Sequence, residues 1–260
     1  MTEDRQMEYG SYPSLRDRVV VVTGGASGIG EKIVEQFAHQ GAKVAFLDIQ
    51  KEAGTELVKK ITANRGTEPH FLPCDLTDID ALRGCLQRIV AEFKTVDVLV
   101  NNAAHDARHA VAEVTTEYWD QSIAVNLKHQ FFTTQAVIPA MKKAGRGSII
   151  NMSSISWMIP GVGMPIYITA KAAIVGLTRT LAHELGVDNI RVNCVLPGAI
   201  VTERQKQLWF TDAYKAEILR SQALKRMIMP EEVARLVLFL AADDSAAITS
   251  QSYVIDGGWV

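Results

Sequence analysis

The hydrophobic positions of this chain switch regularly between two periodicities. Residues 18–23 are a β-branched run of strand length, and the glycine-rich residues 24–30 follow it directly. Apolar residues then recur at helical spacing as far as Gly41. A second continuous apolar run, residues 43–47, has the length of a buried strand. This order predicts a strand, a tight turn, a helix and a second strand.

The same alternation continues to the end of the chain. Further helices are predicted over residues 52–64, 79–93 and 117–143, from about Tyr167 onward and after Pro230, and further strands over residues 70–72, 96–100, 148–151, 190–196 and 252–255. Strict alternation is typical of an α/β fold in which helices cover both faces of a parallel sheet, here of about seven strands. Because no linker, repeat or low-complexity tract interrupts the pattern, we expect one doubly wound domain over residues 15–260, after a polar lead-in at residues 1–14.

Composition excludes several classes of protein. A formal net charge of −2 in 260 residues gives no basic footprint for nucleic acid. The longest apolar run, residues 236–242, is far too short to span a membrane, and the polar N-terminus has no signal-peptide pattern. Cys74, Cys85 and Cys194 are scattered and form no C-x-x-C pair, so neither a disulfide framework nor a metal site is indicated. We therefore expect a cytoplasmic protein with reduced thiols that binds neither nucleic acid, membrane nor metal.

The glycine-rich turn is a candidate phosphate-binding loop. Gly24, Gly28 and Gly30 lie between a predicted strand and a predicted helix, with Ser27 and Ile29 among them. Glycines let the backbone approach a pyrophosphate, and the helix N-terminus faces its negative charge. The spacing differs from G-x-G-x-x-G, and a tight turn without a ligand is the alternative.

An aspartate at the end of the second predicted strand indicates the kind of dinucleotide. Asp48 lies 18 residues beyond Gly30, where a carboxylate can accept hydrogen bonds from an adenosine ribose. The same carboxylate repels a 2′-phosphate, and neither Ser27 nor Ile49 offers a cation to offset that repulsion. The sequence therefore favours NAD over NADP. An aspartate that only starts a turn is the alternative.

A tyrosine and a lysine four residues apart are the candidate acid/base pair. Tyr167 and Lys171 project from the same face of a predicted helix. A free phenol with a pKa of about 10 is a poor base, and a neighbouring ammonium is expected to lower that pKa. Ser154 lies just beyond a predicted strand and can hydrogen-bond the same substrate oxygen. Because Y-x-x-x-K is common by chance, a tyrosine that merely packs against a lysine stem is the alternative.

Three further segments carry candidate site residues. Residues 101–104, which include Asn102, close the fourth predicted strand with small side chains that leave room for a flat ring. Asn126 lies inside a helical pattern, where asparagine is mildly unfavourable unless its side chain has a task. Residues 197–202 follow the sixth predicted strand and can frame the nicotinamide end of a cofactor, through Pro197, Gly198, Ile200 and Thr202.

Taken in order, these motifs resemble the short-chain dehydrogenase/reductase family over about residues 15–260. The resemblance implies a single-domain Rossmann fold, a dinucleotide loop at residues 23–30 and selection of NAD by Asp48. It also implies an adenine contact at Asp75 with its neighbour Leu76. Finally, it implies a homotetramer and a catalytic tetrad of Asn126, Ser154, Tyr167 and Lys171.

The resemblance also assigns roles to the tetrad. Lys171 is expected to bind the nicotinamide ribose, and Asn126 to hold a water that relays protons from the lysine to solvent. Tyr167 exchanges the proton while Ser154 orients the substrate oxygen. Ala104 stands where the family usually has glycine, and its methyl group is expected to narrow the cofactor crevice slightly.

Finer similarity points to bacterial aldose 1-dehydrogenases, which act on pentoses and deoxyhexoses. It rests on residues 106–109, 125–129, 154–157, 203–205 and 255–259. The resemblance implies NAD-dependent oxidation of a sugar at C1 to a lactone. It suggests substrate contacts from Asp106, Arg108, His109, Ser154, Trp157 and Tyr167.

Several alternatives to the sugar hypothesis remain. The loop that contains Asp106 can be an ordinary solvated loop, and Trp157 can simply cap the pocket. His129 is expected to be structural. The same scaffold can also reduce a 3-oxoacyl thioester, oxidise another secondary alcohol, or bind a dinucleotide without turnover.

Overall fold

Parallel strands form the centre of the structure, a computed structural model that describes residues 9–260. The strands are β1 (Val19–Thr23), β2 (Lys43–Asp48), β3 (His70–Pro73), β4 (Val98–Asn101), β5 (Gly147–Met152), β6 (Ile190–Pro197) and β7 (Ser252–Ile255). Their order in the sheet is β3-β2-β1-β4-β5-β6-β7. The winding therefore reverses between β1 and β4. In such sheets, ligands bind beyond the carboxyl ends of the strands at this reversal point.

Helices cover both faces of the sheet. They are α1 (Gly28–His39), α2 (Lys51–Ala63), α3 (Ile79–Phe93), α4 (Thr116–Ile123), α5 (His129–Ala144), α6 (Pro165–Leu185), α7 (Glu203–Leu208), α8 (Asp212–Ser221) and α9 (Pro230–Ala241). The doubly wound α/β fold predicted from the alternation is confirmed. Within residues 9–260, every helix is too short or too polar to cross a bilayer.

The inner strands bury both of their faces, which explains their continuous apolar runs, whereas the edge strands β3 and β7 are partly exposed. Along β1, Val20 and Val22 pack with Phe37 of α1 on one face. Val21 packs on the other face, with Leu82 of α3. Successive side chains of a strand point to opposite sides, so a strand covered by helices on both sides needs apolar residues throughout.

Two features differ from the sequence-based expectation. The pattern over residues 117–143 is not one regular helix, because a π-helical turn at Ala124–Lys128 separates α4 from α5. Helices α7 and α8 were not predicted.

Of the lead-in, residues 1–8 lie outside the described residues, and Leu15 already packs in the core at 1% exposure.

Candidate active site

The turn after β1 is a cradle that side chains would fill. Gly24 has a φ of +65°, and a Cβ there would lie 2.7 Å from Cα of Ala103. A Cβ on Gly30 would overlap the carbonyl oxygen of Gly24 and lie 2.6 Å from Nδ2 of Asn102. Ser27, which precedes α1, makes no side-chain cap, so the first N–H groups of the helix remain for a ligand. A bare backbone cradle at a helix N-terminus fits a pyrophosphate.

Asp48 lies at the end of β2, against this cradle. Its Oδ2 accepts a hydrogen bond from the main-chain N–H of Ala26 at 2.9 Å. Its Oδ1 accepts from the main chain of Gln50 at 3.0 Å and from the Gln50 side chain at 3.3 Å. The Gln50 side chain also donates to Oγ of Ser27 at 3.1 Å. Asp48 thus starts a turn and also borders the predicted cofactor site. A carboxylate offers about four acceptor positions, so a ribose diol finds few free ones unless Gln50 moves.

The segment after β3 lies beside Asp48, since Asp48 pairs with Pro73. Asp75 is exposed there, and its Oδ1 accepts hydrogen bonds from the main chain and side chain of Thr77. The side chain of Leu76 is buried in the core. Only the main chain of Leu76 is therefore available to a ligand.

The segments after β4 and β6 complete this edge of the sheet. Nδ2 of Asn102 donates to the carbonyl of Gly24 at 2.8 Å, which ties the β4 segment to the cradle. Ala104 is exposed and has no left-handed backbone, so its methyl group causes no local strain. A Cβ on Gly28 would lie 3.3 Å from Cγ2 of Thr202, so the β6 segment borders the cradle from the other side.

The other residues of the β6 segment differ in their access to a ligand. Pro197 ends the strand and is buried, and Gly198 adjoins Asp256, which a Cβ on Gly198 would approach to 2.7 Å. The side chain of Ile200 is 4% exposed and packs in the core. It can therefore contact a cofactor only through its main chain, whereas Ile29 in the cradle is partly exposed.

The predicted acid/base pair comes together on α6. Nζ of Lys171 lies 5.4 Å from the ring centroid of Tyr167, and the lysine is 2% exposed. Its ammonium donates to the carbonyl of Met152 at 2.8 Å, which fixes it against the end of β5. Ser154 lies two residues beyond the end of β5, and a hydrogen bond from its side chain acts to lower the pKa of the Tyr167 phenol.

The expected lowering of the Tyr167 pKa by Lys171 is not what the protein shows. Burial of the phenol, the largest cause, and the negative charge of Asp106 together raise the pKa of Tyr167 above its ordinary value, and only Ser154 opposes them. Burial also lowers the pKa of Lys171 to about 8, against raising effects of Cys194 and Asp106. Sequence spacing placed the two residues side by side but gave no measure of how strongly the surrounding protein desolvates them.

Asn126 lies in the π-helical turn and is fully buried. Its Nδ2 donates to the carbonyls of His105 at 3.1 Å and Ser122 at 2.9 Å, and its Oδ1 accepts from the main-chain N–H of His105. One amide hydrogen thus holds the loop between β4 and α4, and the other holds α4 through Ser122. A water at this residue can bind only the second lone pair of Oδ1 or a main-chain carbonyl. π-Helical turns of this kind are frequent at functional sites.

His129 and Gln130 follow the π-helical turn and are fully buried. Neither side chain has a hydrogen-bond partner within residues 9–260. Burial, and secondarily the charge of Lys171, lower the pKa of His129 to about 3, so its imidazole is neutral at physiological pH.

The predicted substrate residues lie on the loop between β4 and α4 and have protein partners. Asp106 pairs with Arg204 and accepts from Gln205, whereas Arg108 stacks over the ring of Trp209 at 4.2 Å. These contacts hold the loop against α7 and against Trp209, which follows it.

The remaining predicted substrate residues flank that contact. Nδ1 of His109 lies 2.9 Å from the hydroxyl of Tyr118. Trp157 is 37% exposed, at the end of the short turn that follows Ser154.

Sequence reasoning did not assign Arg204, Gln205 or Trp209 to the site. The stretch 203–205 contributed to the resemblance, but nothing in it indicates a partner about a hundred residues earlier. Only α7, which was not predicted, brings these side chains to Asp106.

Comparison with known proteins finds relatives over almost the whole chain. The family model described as Enoyl-(Acyl carrier protein) reductase matches residues 24–260. A protein of Rhizobium meliloti (strain 1021) named "Probable galactose dehydrogenase GalD" is 52% identical over 247 residues, which cover 95% of this chain and 96% of that protein. The D-xylose 1-dehydrogenase of Caulobacter vibrioides (strain NA1000 / CB15N) is 50% identical over 248 residues, which cover 95% and 98%. A solved 7α-hydroxysteroid dehydrogenase in complex with NADH and 7-oxo glycochenodeoxycholic acid has a TM-score of 0.89 at 29% identity, and covers 95% of this chain and 96% of that chain.

Proposed function

The chain belongs to the short-chain dehydrogenase/reductase family, and from this premise we propose that it oxidises an aldose at C1 to the lactone with NAD. Members of this family are oxidoreductases that bind a nicotinamide dinucleotide. The pentose or 6-deoxyhexose class of substrate and the choice of NAD over NADP are the parts that we propose for this chain. The observation that carries the proposal is the 50–52% sequence identity, over 95% of this chain, to two proteins named as sugar dehydrogenases.

The residues around the cleft support a polar substrate. Nε2 of His109, Oγ of Ser156 and Nε1 of Trp209 are buried without a hydrogen-bond partner in residues 9–260. An unpaired buried polar group costs about 1–3 kcal/mol. These atoms are enclosed by protein, so a hydroxyl of the substrate can pair with them and remove that cost only if the surrounding loop opens to admit it, whereas an apolar alcohol cannot pair with them at all.

The cradle at Gly24–Gly30, Asp48 and Lys171 are the groups that fit NAD. The bound cofactor supplies the hydride acceptor of the reaction. Tyr167 takes the proton of the anomeric hydroxyl as the C1 hydride leaves. Ser154 hydrogen-bonds the same oxygen and so aligns it with the phenol.

Lys171 and Asn126 have supporting roles in the proton transfer. Lys171 binds the nicotinamide ribose and provides the charge that supports the proton transfer. Asn126 holds the loop between β4 and α4 by its side chain, and a water on the remaining lone pair of its Oδ1 can connect Lys171 to solvent.

A substrate panel tests this function. Purified protein is assayed for NADH or NADPH formation with pentoses, hexoses, their deoxy analogues, cyclohexanol and a 3-hydroxyacyl ester. We expect turnover of pentoses or 6-deoxyhexoses with NAD and a lactone as the first product. Turnover of only the apolar alcohol or the acyl ester would overturn the sugar assignment and favour the alternative alcohol or acyl substrate.

Three predictions concern the protein rather than its reaction. The homotetramer, the cytoplasmic location and the domain start at residue 15 remain predictions from the sequence. Light scattering on the purified protein measures the first of them directly.

A further inference from the structure

Three polar contacts join the loop between β4 and α4 to helix α7. Nε of Arg204 donates to Oδ1 of Asp106 at 3.1 Å, and Nε2 of Gln205 donates to Oδ2 at 2.6 Å. The same guanidinium lies 3.3 Å from Nε2 of His105. Adjacent residues of one short helix therefore bind both oxygens of one carboxylate. We call these three residues, Asp106, Arg204 and Gln205, the carboxylate clasp.

The clasp lies within electrostatic reach of the acid/base pair. The negative charge of Asp106 raises the pKa of both Tyr167 and Lys171. A carboxylate in this position hinders proton release from either member of the pair. Its distance from them therefore affects the pH at which the enzyme becomes active.

Other charged and titratable groups lie near the clasp or near the acid/base pair. They are His105 and Arg108 on the loop of Asp106, Tyr214 on α8, Tyr167 and Lys171 on α6, and, facing Lys171, Cys194 on β6 and His129 on α5. The described hydrogen bonds of the Asp106 carboxylate go to Arg204 and Gln205, which are not in this set.

We propose that Arg204 and Gln205 are positioning residues that hold the Asp106 carboxylate at the mouth of the cleft, where it accepts a hydrogen bond from a substrate hydroxyl and is restrained from approaching Tyr167. The substrate part of this inference rests on the proposed sugar function. The electrostatic part holds for any alcohol that the enzyme oxidises. Without Arg204, Gln205 alone holds the carboxylate by one oxygen, so the carboxylate can turn toward the ammonium of Lys171 and the charge that opposes proton release comes closer.

Helix α7 itself provides a matched control. Lys206 also forms an ion pair, with Glu203 at 2.7 Å, and its side chain is 48% exposed against 47% for Arg204. The variants to compare are Arg204→Gln, Arg204→Lys, Gln205→Leu, Asp106→Asn, the double variant Arg204→Gln with Asp106→Asn, and the control Lys206→Gln. For each, kcat/KM is measured from about pH 6 to pH 10, with separate KM values for sugar and NAD.

The rising limb of the pH profile is the decisive measurement, because Lys171, whose pKa is lowered to about 8, loses its proton within this range. Asp106→Asn should move it to lower pH by about half a unit, the effect of one partly screened charge. Arg204→Gln should move it to higher pH, while Arg204→Lys and Lys206→Gln leave it in place. With Asp106→Asn already present, Arg204→Gln should have no further effect, because the charge through which it acts is gone.

Affinity for the sugar gives a second, independent measurement. Arg204→Gln and Gln205→Leu should raise the KM for sugar by about two- to fivefold, the range that an exposed ion pair supports. The KM for NAD should stay within about twofold in both. The inference would be overturned if the rising limb of Arg204→Gln lay at the same pH as that of Lys206→Gln. It would also be overturned if Arg204→Gln still shifted the limb in the Asp106→Asn background. If the unmodified protein oxidises no aldose, the proposed substrate is wrong, and the profiles are recorded with the alcohol that it does oxidise.

Discussion

A single methyl group at Gly30 is the most direct test of the phosphate cradle. Alanine normally stabilises a helix by about 1 kcal/mol relative to glycine. At Gly30, however, the added Cβ would overlap the carbonyl oxygen of Gly24 and press on the amide of Asn102. These neighbours are backbone and a side chain that is already hydrogen-bonded to the same carbonyl, so neither can turn aside cheaply. The steric cost should exceed the gain in helix propensity.

The expected magnitudes follow from this overlap. Overpacking of this kind costs about 1–3 kcal/mol, which for a chain of this size lowers Tm by about 2–12 °C. Displacing the start of α1 should also remove at least one hydrogen bond to the cofactor phosphate, worth about 1.5–3 kcal/mol. The dissociation constant for NAD should therefore rise by about tenfold to 150-fold. Thermal unfolding and calorimetric titration with NAD measure the two effects.

Gly84→Ala is the matched control for Gly30→Ala. Gly84 lies in α3, and a Cβ there would meet nothing within 4 Å. This variant should gain about 0.5–1 kcal/mol in stability and keep its affinity for NAD. The assignment of the cradle would be refuted if Gly30→Ala bound NAD normally, or if Gly84→Ala lost as much affinity for NAD as Gly30→Ala.

Three further predictions concern the acid/base group, the cofactor and a buried histidine. Tyr167→Phe should lower turnover at least ~10²-fold with NAD binding kept, and a variant with most of its activity would place the proton-transfer group elsewhere. Asp48→Ala should lower kcat/KM with NAD by at least about tenfold, the value of one hydrogen bond to a charged group, and improve NADP; equal use of both cofactors by the unmodified protein would contradict this. Burial lowers the pKa of His129 to about 3 from an ordinary 6.5. As the pH falls, the unfolded chain therefore protonates this imidazole before the folded protein does. The stability that neutral His129 contributes is lost as the pH falls from about 6.5 toward 3. His129 contributes at most about 1.4 kcal/mol per pH unit to the dependence of the unfolding free energy on pH. Denaturant unfolding at pH 7 and pH 5 should therefore show a smaller difference in unfolding free energy for His129→Gln than for the unmodified protein. An equal difference for the two proteins would contradict this.

Local sequence patterns determined the order of elements and the identity of the paired residues. The strand run at residues 18–23 is apolar throughout because both of its faces are buried, and that pattern is visible without a structure. Tyr167 and Lys171 were predicted as neighbours because residues four apart share a helix face, and Nζ of Lys171 does lie 5.4 Å from the tyrosine ring. The glycine turn and Asp48 were found the same way, since strand ends and helix starts have local signals.

Only the tertiary structure decided what surrounds those residues. The pKa of Tyr167 is raised rather than lowered, because burial and Asp106 outweigh what a neighbouring ammonium was expected to do. Asn126 uses its side-chain amide to bind the main chain of His105 and Ser122, and the π-helical turn that contains it leaves no trace in the periodicity of residues 117–143. The contact between Asp106 and Arg204 joins residues far apart in the chain. Such contacts depend on how separate elements pack, and desolvation depends on everything packed around a group, so neither is encoded in the spacing of nearby residues.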